Sequence, residues 1–152
     1  MLYLLDTNVF RLVQNPKTPD RAHENALAWL SGRDDNELRL SVVTLREVSR
    51  GIDSLGKTKP DVAATMRLRL DELRGAYAGR VVAVGEEAAL EWGRLESAKA
   101  GTKKPKGDDD LAFVATARVH GMVLVTRNVR DVRGLGVRVL NPYVKPWRAV
   151  EV

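Results

Sequence analysis

The sequence predicts a three-layer α/β/α fold built on a mainly parallel central sheet of about five strands. Short apolar runs recur along the 152 residues and are rich in leucine and β-branched side chains, as buried strands are. Stretches with helical spacing separate these runs, so right-handed crossovers would place helices on both faces of the sheet. The strand-like runs span residues 2–5, 38–42, 81–84, 122–125 and 137–140.

Helical periodicity is clear between the strand-like runs. Leu45, Val48 and Ile52 recur at a spacing of three or four residues, which places them on one face of a helix that ends near Gly56. The helical stretches predicted in this way cover residues 21–30, 44–55, 60–79, 88–95 and 111–119. The loops at residues 15–20, 57–60 and 101–107 are too short to separate two domains, so residues 1–152 are expected to form a single domain.

Composition narrows the classes of function. Lys and Arg total 25 against 20 Asp and Glu, and the resulting net charge of +5 favours a polyanionic partner. The absence of cysteine excludes disulfides, thiolate nucleophiles and Cys-ligated zinc. No apolar segment approaches transmembrane length, and no basic start precedes a long apolar run, so we expect a soluble, cytoplasmic protein.

Four acidic residues stand where strands end or helices begin. Asp6 follows the first strand-like run, Glu47 follows the second, Asp110 opens the last helical stretch, and Asp131 follows the fourth strand-like run. These positions share one edge of a parallel α/β sheet. Carboxylates gathered there repel one another unless a cation lies between them, and a site without His or Cys suits Mg²⁺ or Mn²⁺.

Each acid also has a structural explanation. Asp6 could cap a short helix, and residues 44–47 match a capping box in which Glu47 reaches back to the amide of Thr44. Residues 108–110, all aspartates, would be favoured at a helix N-terminus by the helix dipole. Asp131 could be an ordinary loop residue. Capping needs one oxygen per helix, however, so three adjacent carboxylates favour the metal site.

Several segments resemble one known family. The chain is similar to the PIN-domain ribonucleases, and more narrowly to VapC/FitB-type toxins of bacterial toxin–antitoxin pairs. The resemblance lies in residues 4–8, 41–47, 110–117, 124–131 and 136–142. These blocks occur in the order and approximate spacing of the family, and they extend over almost the whole chain, to about Tyr143.

The resemblance implies roles for particular residues. Asp6 and Asp110 would be direct metal ligands, and Glu47 and Asp131 would complete the acidic cluster. Val132 departs from the family pattern, because many relatives have an aromatic residue after the fourth acid. The small polar residues that the family places beside its acids are matched by Thr7, Asn8, Thr126 and Asn128.

The same resemblance implies a toxin that hydrolyses RNA phosphodiester bonds with Mg²⁺ or Mn²⁺, with tRNA among the expected substrates. It also implies a homodimer and a VapB-type antitoxin that inhibits the enzyme. Basic side chains near the acids would contact RNA phosphates, although each could instead be solvated surface charge. These are Lys103, Lys104, Lys106, Arg46, Arg127 and Arg130.

Other functions remain open on the sequence alone. A PIN-like scaffold could bind RNA or protein without cleavage. A phosphatase could use Asp6 as nucleophile, but Asn8 occupies the place of the second aspartate that such enzymes need. An imidazole-based ribonuclease is disfavoured, because His120 is explained by a helix C-terminus and His23 has no evident partner. Core or interface roles are expected for Trp29, Trp92 and Trp147.

Overall fold

The computed structural model describes residues 1–17, 19–99 and 109–152 and has the predicted three-layer α/β/α architecture. Its sheet has the strand order β3-β2-β1-β4-β5-β6. The first five of these strands run parallel, and β6 pairs antiparallel with β5. The strands are β1 (Tyr3–Leu5), β2 (Leu38–Ser41), β3 (Val81–Val82), β4 (Val123–Val125), β5 (Arg138–Leu140) and β6 (Val150–Glu151).

Helices cover both faces of this sheet. They are α1 (Thr7–Gln14), α2 (Arg21–Ser31), α3 (Val42–Gly56), α4 (Pro60–Ala76), α5 (Glu86–Lys99) and α6 (Asp109–His120). Short 3-10 helices span Asp35–Glu37 and Val129–Val132. Within the described part of the chain, no helix combines the length and the apolar character needed to cross a bilayer.

Two hydrophobic cores arise from the alternation of side chains along the strands. Leu5 and Val125 face one side of the sheet, where α1 to α4 cover them. Leu4 and Leu124 face the other side and meet residues of α5 and α6. Because successive strand residues point to opposite faces, one short apolar strand serves both cores.

Side chains fix where the helices begin and end. Ser41 caps α3 by accepting a hydrogen bond from the N–H of Val43 at 3.1 Å. The capping box expected at residues 44–47 is therefore wrong, because the helix starts at Val42 and Thr44 already lies inside it. At the other end of the fold, Gly121 adopts φ 62° and closes the last turn of α6 before β4.

The remaining differences from the sequence prediction are shifted element ends and two elements that the periodicity did not show, α1 and β6; α1 was anticipated only as a short helix that Asp6 could cap. Val42 belongs to α3 instead of the second strand, and the third strand is shorter than the predicted run 81–84. The sequence missed β6, because two residues carry no readable alternation. Pairing with β5 forms this strand, in which Val150 lies opposite Val139.

A pair of leucine truncations would test the position of the core. We expect Leu5→Ala to lower the free energy of unfolding by about 2–5 kcal/mol, because Leu5 is fully buried between the sheet and the helices. Leu68→Ala is the matched control, since Leu68 is 66% exposed, and we expect a change of about 0.5 kcal/mol or less. Urea unfolding measures both, and equal losses would contradict this core.

Candidate functional site

The carboxyl ends of three neighbouring strands form the predicted edge. β1 lies between β2 and β4, with Leu5 paired to Leu40 on one side and to Val125 on the other. The residues that follow these strands therefore emerge side by side. They include Asp6 after β1 and Thr126 after β4, and both are buried.

Asp6 is both a helix cap and a buried acid. Its Oδ1 accepts a hydrogen bond from the N–H of Val9 at 2.8 Å, which caps α1, and its own N–H donates to the carbonyl of Val125 at 3.0 Å. Burial raises the pKa of Asp6, although hydrogen bonds from Thr126 and from the N–H groups of Val9 and Asn8 act in the opposite direction. A cation beside this carboxylate would relieve the cost of its burial.

A line of polar side chains leads from α1 across α3 to α6. The hydroxyl oxygens of Thr7 and Thr44 lie 3.2 Å apart, and both residues are buried. Glu47 is half-buried near them and interacts with Thr7 and Asp109. Burial raises the pKa of Glu47, and the hydrogen bond and charge of Asp109 raise it further, whereas Thr7 and Arg11 act against these effects.

Asp109 joins this line from the first turn of α6. Its Oδ1 lies 3.3 Å from Nη1 of Arg46, so an ion pair connects the start of α6 to α3. The family resemblance favoured Asp110, and the sequence suggested for Asp109 only a favourable place at the helix N-terminus. The acidic run was the available signal, but the rotation of α6 decides which of its carboxylates faces Glu47.

The other two predicted acids lie at the same end of the fold. Asp110 is half-buried in the first turn of α6, and Asp131 is half-buried in the short helix after β4. Among the described residues, no three acidic or histidine side chains stand close enough to hold a metal ion together. Shared metal binding by Asp6, Glu47, Asp110 and Asp131 therefore stays a prediction.

Of the polar and basic residues predicted beside the acids, Thr126 contacts Asp6, whereas others are exposed or lie outside the described residues. Thr126 hydrogen-bonds Asp6 and also accepts from the N–H of Asn128 at 3.0 Å. Asn8 and Asn128 are exposed, as are Arg46, Arg127 and Arg130. The predicted contacts Lys103, Lys104 and Lys106, together with Asp108, lie outside the described residues.

The expectation that His23 lacks a partner is wrong. Its Nδ1 lies 2.7 Å from Oδ1 of Asp20, which also caps α2. The His23 ring meets the ring of Tyr143 in a T-shaped contact, with centroids 5.5 Å apart. The sequence could not show the contact between His23 and Tyr143, because it joins α2 to the segment after β5.

A groove of about 700 Å³ lies on the side of the sheet that α1 to α4 cover, and Tyr143 and His23 are part of its lining. Asn8 and Arg11 of α1 line the groove, and the charge of Arg11 also acts on the Glu47 carboxylate. Lys17 and Arg69 add positive charge to the lining. Its apolar lining comes from Leu12, Val48, Ile52, Leu55, Val62 and Met66. The groove therefore combines an apolar lining with positively charged side chains.

Comparison with known proteins agrees with this architecture. The family model of the PIN domain matches residues 3–133. The chain belongs to the PIN-domain family. It is 30% identical over 142 residues to the VapC ribonuclease Y4jK of Sinorhizobium fredii, covering 93% of this chain and 98% of that protein.

Two further comparisons point to the same branch of PIN domains. Toxin FitB of Neisseria gonorrhoeae is 28% identical, with 93% of this chain and 99% of that protein covered. The crystal structure of FitAcB from Neisseria gonorrhoeae superposes with a TM-score of 0.79 at 26% identity, covering 93% of this chain and 99% of that one. The resemblance to VapC/FitB-type proteins is thus confirmed.

The side chains of this PIN domain fit a hard divalent cation. The polar atoms around Asp6 are carboxylate and hydroxyl oxygens, and burial raises the pKa of this carboxylate, so its negative charge is costly in the folded protein. Oxygen donors suit Mg²⁺ and Mn²⁺ better than zinc. No histidine or cysteine ligand is needed for such a site.

Substitution of the buried acid tests its electrostatic cost. We expect Asp6→Asn to raise the melting temperature in EDTA at pH 7 by about 2–4 °C, the shift that roughly 1 kcal/mol produces in a chain of this size. Burial raises the pKa of Asp6, so the folded state binds more protons than the unfolded state between the two pKa values. The free energy of unfolding of the unsubstituted protein should therefore fall as the pH rises through that window.

Asparagine retains an oxygen that can cap α1, so the substitution removes mainly the charge. Asp34→Asn is the matched control, because Asp34 caps the short helix Asp35–Glu37 and is exposed. Thermal unfolding across the acidic and neutral range measures both variants, and we expect no gain from the control. A lower melting temperature for Asp6→Asn at every pH would contradict a destabilising charge at Asp6.

Proposed function

We propose that this PIN-domain protein is a metal-dependent endoribonuclease and the toxin of a toxin–antitoxin pair. The observation that carries the proposal is the buried Asp6 carboxylate at the carboxyl edge of a parallel sheet, with a raised pKa. The relatives named VapC ribonuclease and toxin FitB support the reaction and the biological role. We further propose that residues 1–152 form one domain and that the active form is a homodimer.

The acidic residues would have different roles in hydrolysis. Asp6 and Asp110 would bind Mg²⁺, or Mn²⁺ in its place, and Asp131 would add negative charge at the same edge. When bound, the ion supplies stabilisation of the phosphate charge and activation of a water molecule. Glu47 is suited to orient a water molecule and to accept a proton, because burial and the neighbouring Asp109 raise its pKa and so make it a stronger base than an exposed glutamate. No protein nucleophile is required.

Basic side chains around this edge would hold the RNA backbone. Arg46 lies beside the acids through its ion pair with Asp109, and Arg127 directly follows the Thr126 that bonds Asp6. Phosphate contacts position an RNA without selecting its sequence, so a structured RNA such as tRNA remains one substrate among several. The further contacts proposed from the sequence are Arg130, Lys103, Lys104 and Lys106.

An RNA cleavage assay tests the proposed reaction. We expect cleavage with Mg²⁺ or Mn²⁺, loss of cleavage in EDTA, and a decrease of about a hundredfold or more for Asp6→Asn and Asp110→Asn. Gel analysis of end-labelled RNA measures the rate. Asp61→Asn is the matched control. Asp61 lies in the first turn of α4, just as Asp110 lies in the first turn of α6, but Asp61 is exposed and far from the proposed site in the sequence.

The possible results separate the competing functions. Cleavage that survives EDTA and both substitutions would contradict the metal site. RNA binding without any cleavage would support the scaffold function instead. Trapping of phosphate on Asp6 by a small phosphodonor would support the phosphatase.

The groove on the side of the sheet that α1 to α4 cover is the proposed docking surface for a VapB-type antitoxin. One partner segment could bury apolar side chains against Val48 and Ile52 and extend past Asn8 to the acids. A basic side chain of that segment would be attracted to the carboxylates, and its acidic residues would face Arg11 and Arg69. Occupation of the groove would thus block access of RNA.

A negative charge placed in the groove should weaken binding of the antitoxin. We expect Val62→Asp to reduce binding at least about tenfold, because it puts a carboxylate on the apolar lining. Leu90→Asp is the matched control, since Leu90 is an exposed apolar residue of α5, on the opposite face of the sheet. Co-purification with a co-expressed VapB-type antitoxin measures binding. Loss with Leu90→Asp alone would move the docking surface to α5.

A further inference from the structure

Tyr143 forms an aromatic platform between α2 and the acidic edge. The residue is 5% exposed and follows β5 by three positions. The guanidinium carbon of Arg127 lies 4.9 Å from the centroid of its ring. His23 contacts the same ring in a T-shaped arrangement, with the two ring planes at 87°. One buried ring therefore contacts both an exposed arginine and an imidazole.

Hydrogen bonds hold this platform at several points. The N–H of Tyr143 donates to Oδ1 of Asn141 at 3.0 Å, and its carbonyl accepts from Nδ2 of Asn25 at 3.2 Å. His23 is fixed by Asp20, which accepts from its backbone N–H at 2.9 Å and lies 2.7 Å from its Nδ1. The surface below Arg127 is thus anchored to α2 and to the end of β5.

The platform places Arg127 close to the acids. Arg127 follows Thr126, whose hydroxyl bonds the buried carboxylate of Asp6. Burial raises the pKa of Tyr143, the charge of Asp6 raises it further, and Arg127 acts in the opposite direction. Because the guanidinium lies over the Tyr143 ring and Arg127 is the neighbour of Thr126 in the chain, this guanidinium stands beside the acidic edge.

Stacking suits an arginine that must bind phosphate. A guanidinium that lies over an aromatic ring keeps its N–H edge free to donate two hydrogen bonds to phosphate oxygens. The ring also restricts the rotamers of a flexible side chain, so less conformational entropy is lost when RNA binds. An arginine without such support would lose more freedom on binding.

We propose that Tyr143 and His23 are positioning residues that hold Arg127 for contact with an RNA phosphate beside the acidic edge. This inference rests on the proposed function, because it requires RNA as the substrate. Tyr143 and His23 act through Arg127 and need not touch the RNA themselves. The same residues could instead serve only to fill the core, and a double-mutant cycle separates these roles.

The cycle compares RNA binding with and without the arginine. Fluorescence anisotropy with a labelled single-stranded RNA in EDTA gives the Kd while cleavage is suppressed. We expect Arg127→Ala to weaken binding about five- to tenfold and to reduce the salt slope by about 0.7, as loss of one phosphate contact does. Tyr143→Leu should weaken binding about two- to fivefold, and Tyr143→Phe should restore it, because phenylalanine retains the ring.

The decisive comparison is the combined variant. If Tyr143 acts through Arg127, Tyr143→Leu should cause no further loss in the Arg127→Ala protein. His23→Leu should behave in the same way with a smaller effect, and it carries the comparison if Tyr143→Leu fails to fold. Losses that add in the double variants, or a Tyr143→Leu protein that binds RNA normally, would overturn the inference.

These outcomes are independent of the proposed cleavage. A protein that binds RNA with non-additive losses but does not cleave would support the positioning role and contradict the nuclease. A protein that cleaves RNA, and whose binding losses add in the double variants, would support the nuclease and contradict the positioning role. Failure of the unsubstituted protein to bind RNA would overturn both.

Discussion

The parallel pairing of β1 between β2 and β4 is the constraint on which the site depends. Its register aligns Leu5 with Leu40 and Val125, so the chain leaves three strands at one level. The hydrogen-bond ladder therefore determines where Asp6 and Thr126 meet. The helices that start at this edge contribute the remaining acids, and the two apolar cores hold those helices in place.

The acidic edge opposes the stability of the fold that carries it. Burial raises the pKa of both Asp6 and Glu47, so these carboxylates are less stable in ionised form than they would be in water. Hydrogen bonds to Asp6 from Thr126 and from the N–H of Val9, the latter capping α1, offset part of this cost, as do the hydroxyl of Thr7 and the charge of Arg11 at Glu47. Electrostatic strain of this kind is common where a site must attract a cation.

Structural roles and the proposed chemical roles coincide in single residues of this protein. The sequence presented helix capping and metal binding as competing explanations of Asp6, but one carboxylate has two oxygens and can serve both. Asp20 also has two roles, because it caps α2 and holds the His23 ring beside Tyr143. The residues that cap these helices thus satisfy the free N–H groups of the first turn and also orient the side chains around the site.

The sequence by itself determined the layered fold and the edge at which Asp6 stands, because alternation and helical period are local properties of the chain. The tertiary structure decided the contacts between distant elements. Thr7 and Thr44 are 37 positions apart, Arg46 and Asp109 are 63 apart, and Asn25 and Tyr143 are 118 apart. Such pairs depend on the rotation of each packed helix and on the path of the chain after β5, which no local pattern encodes.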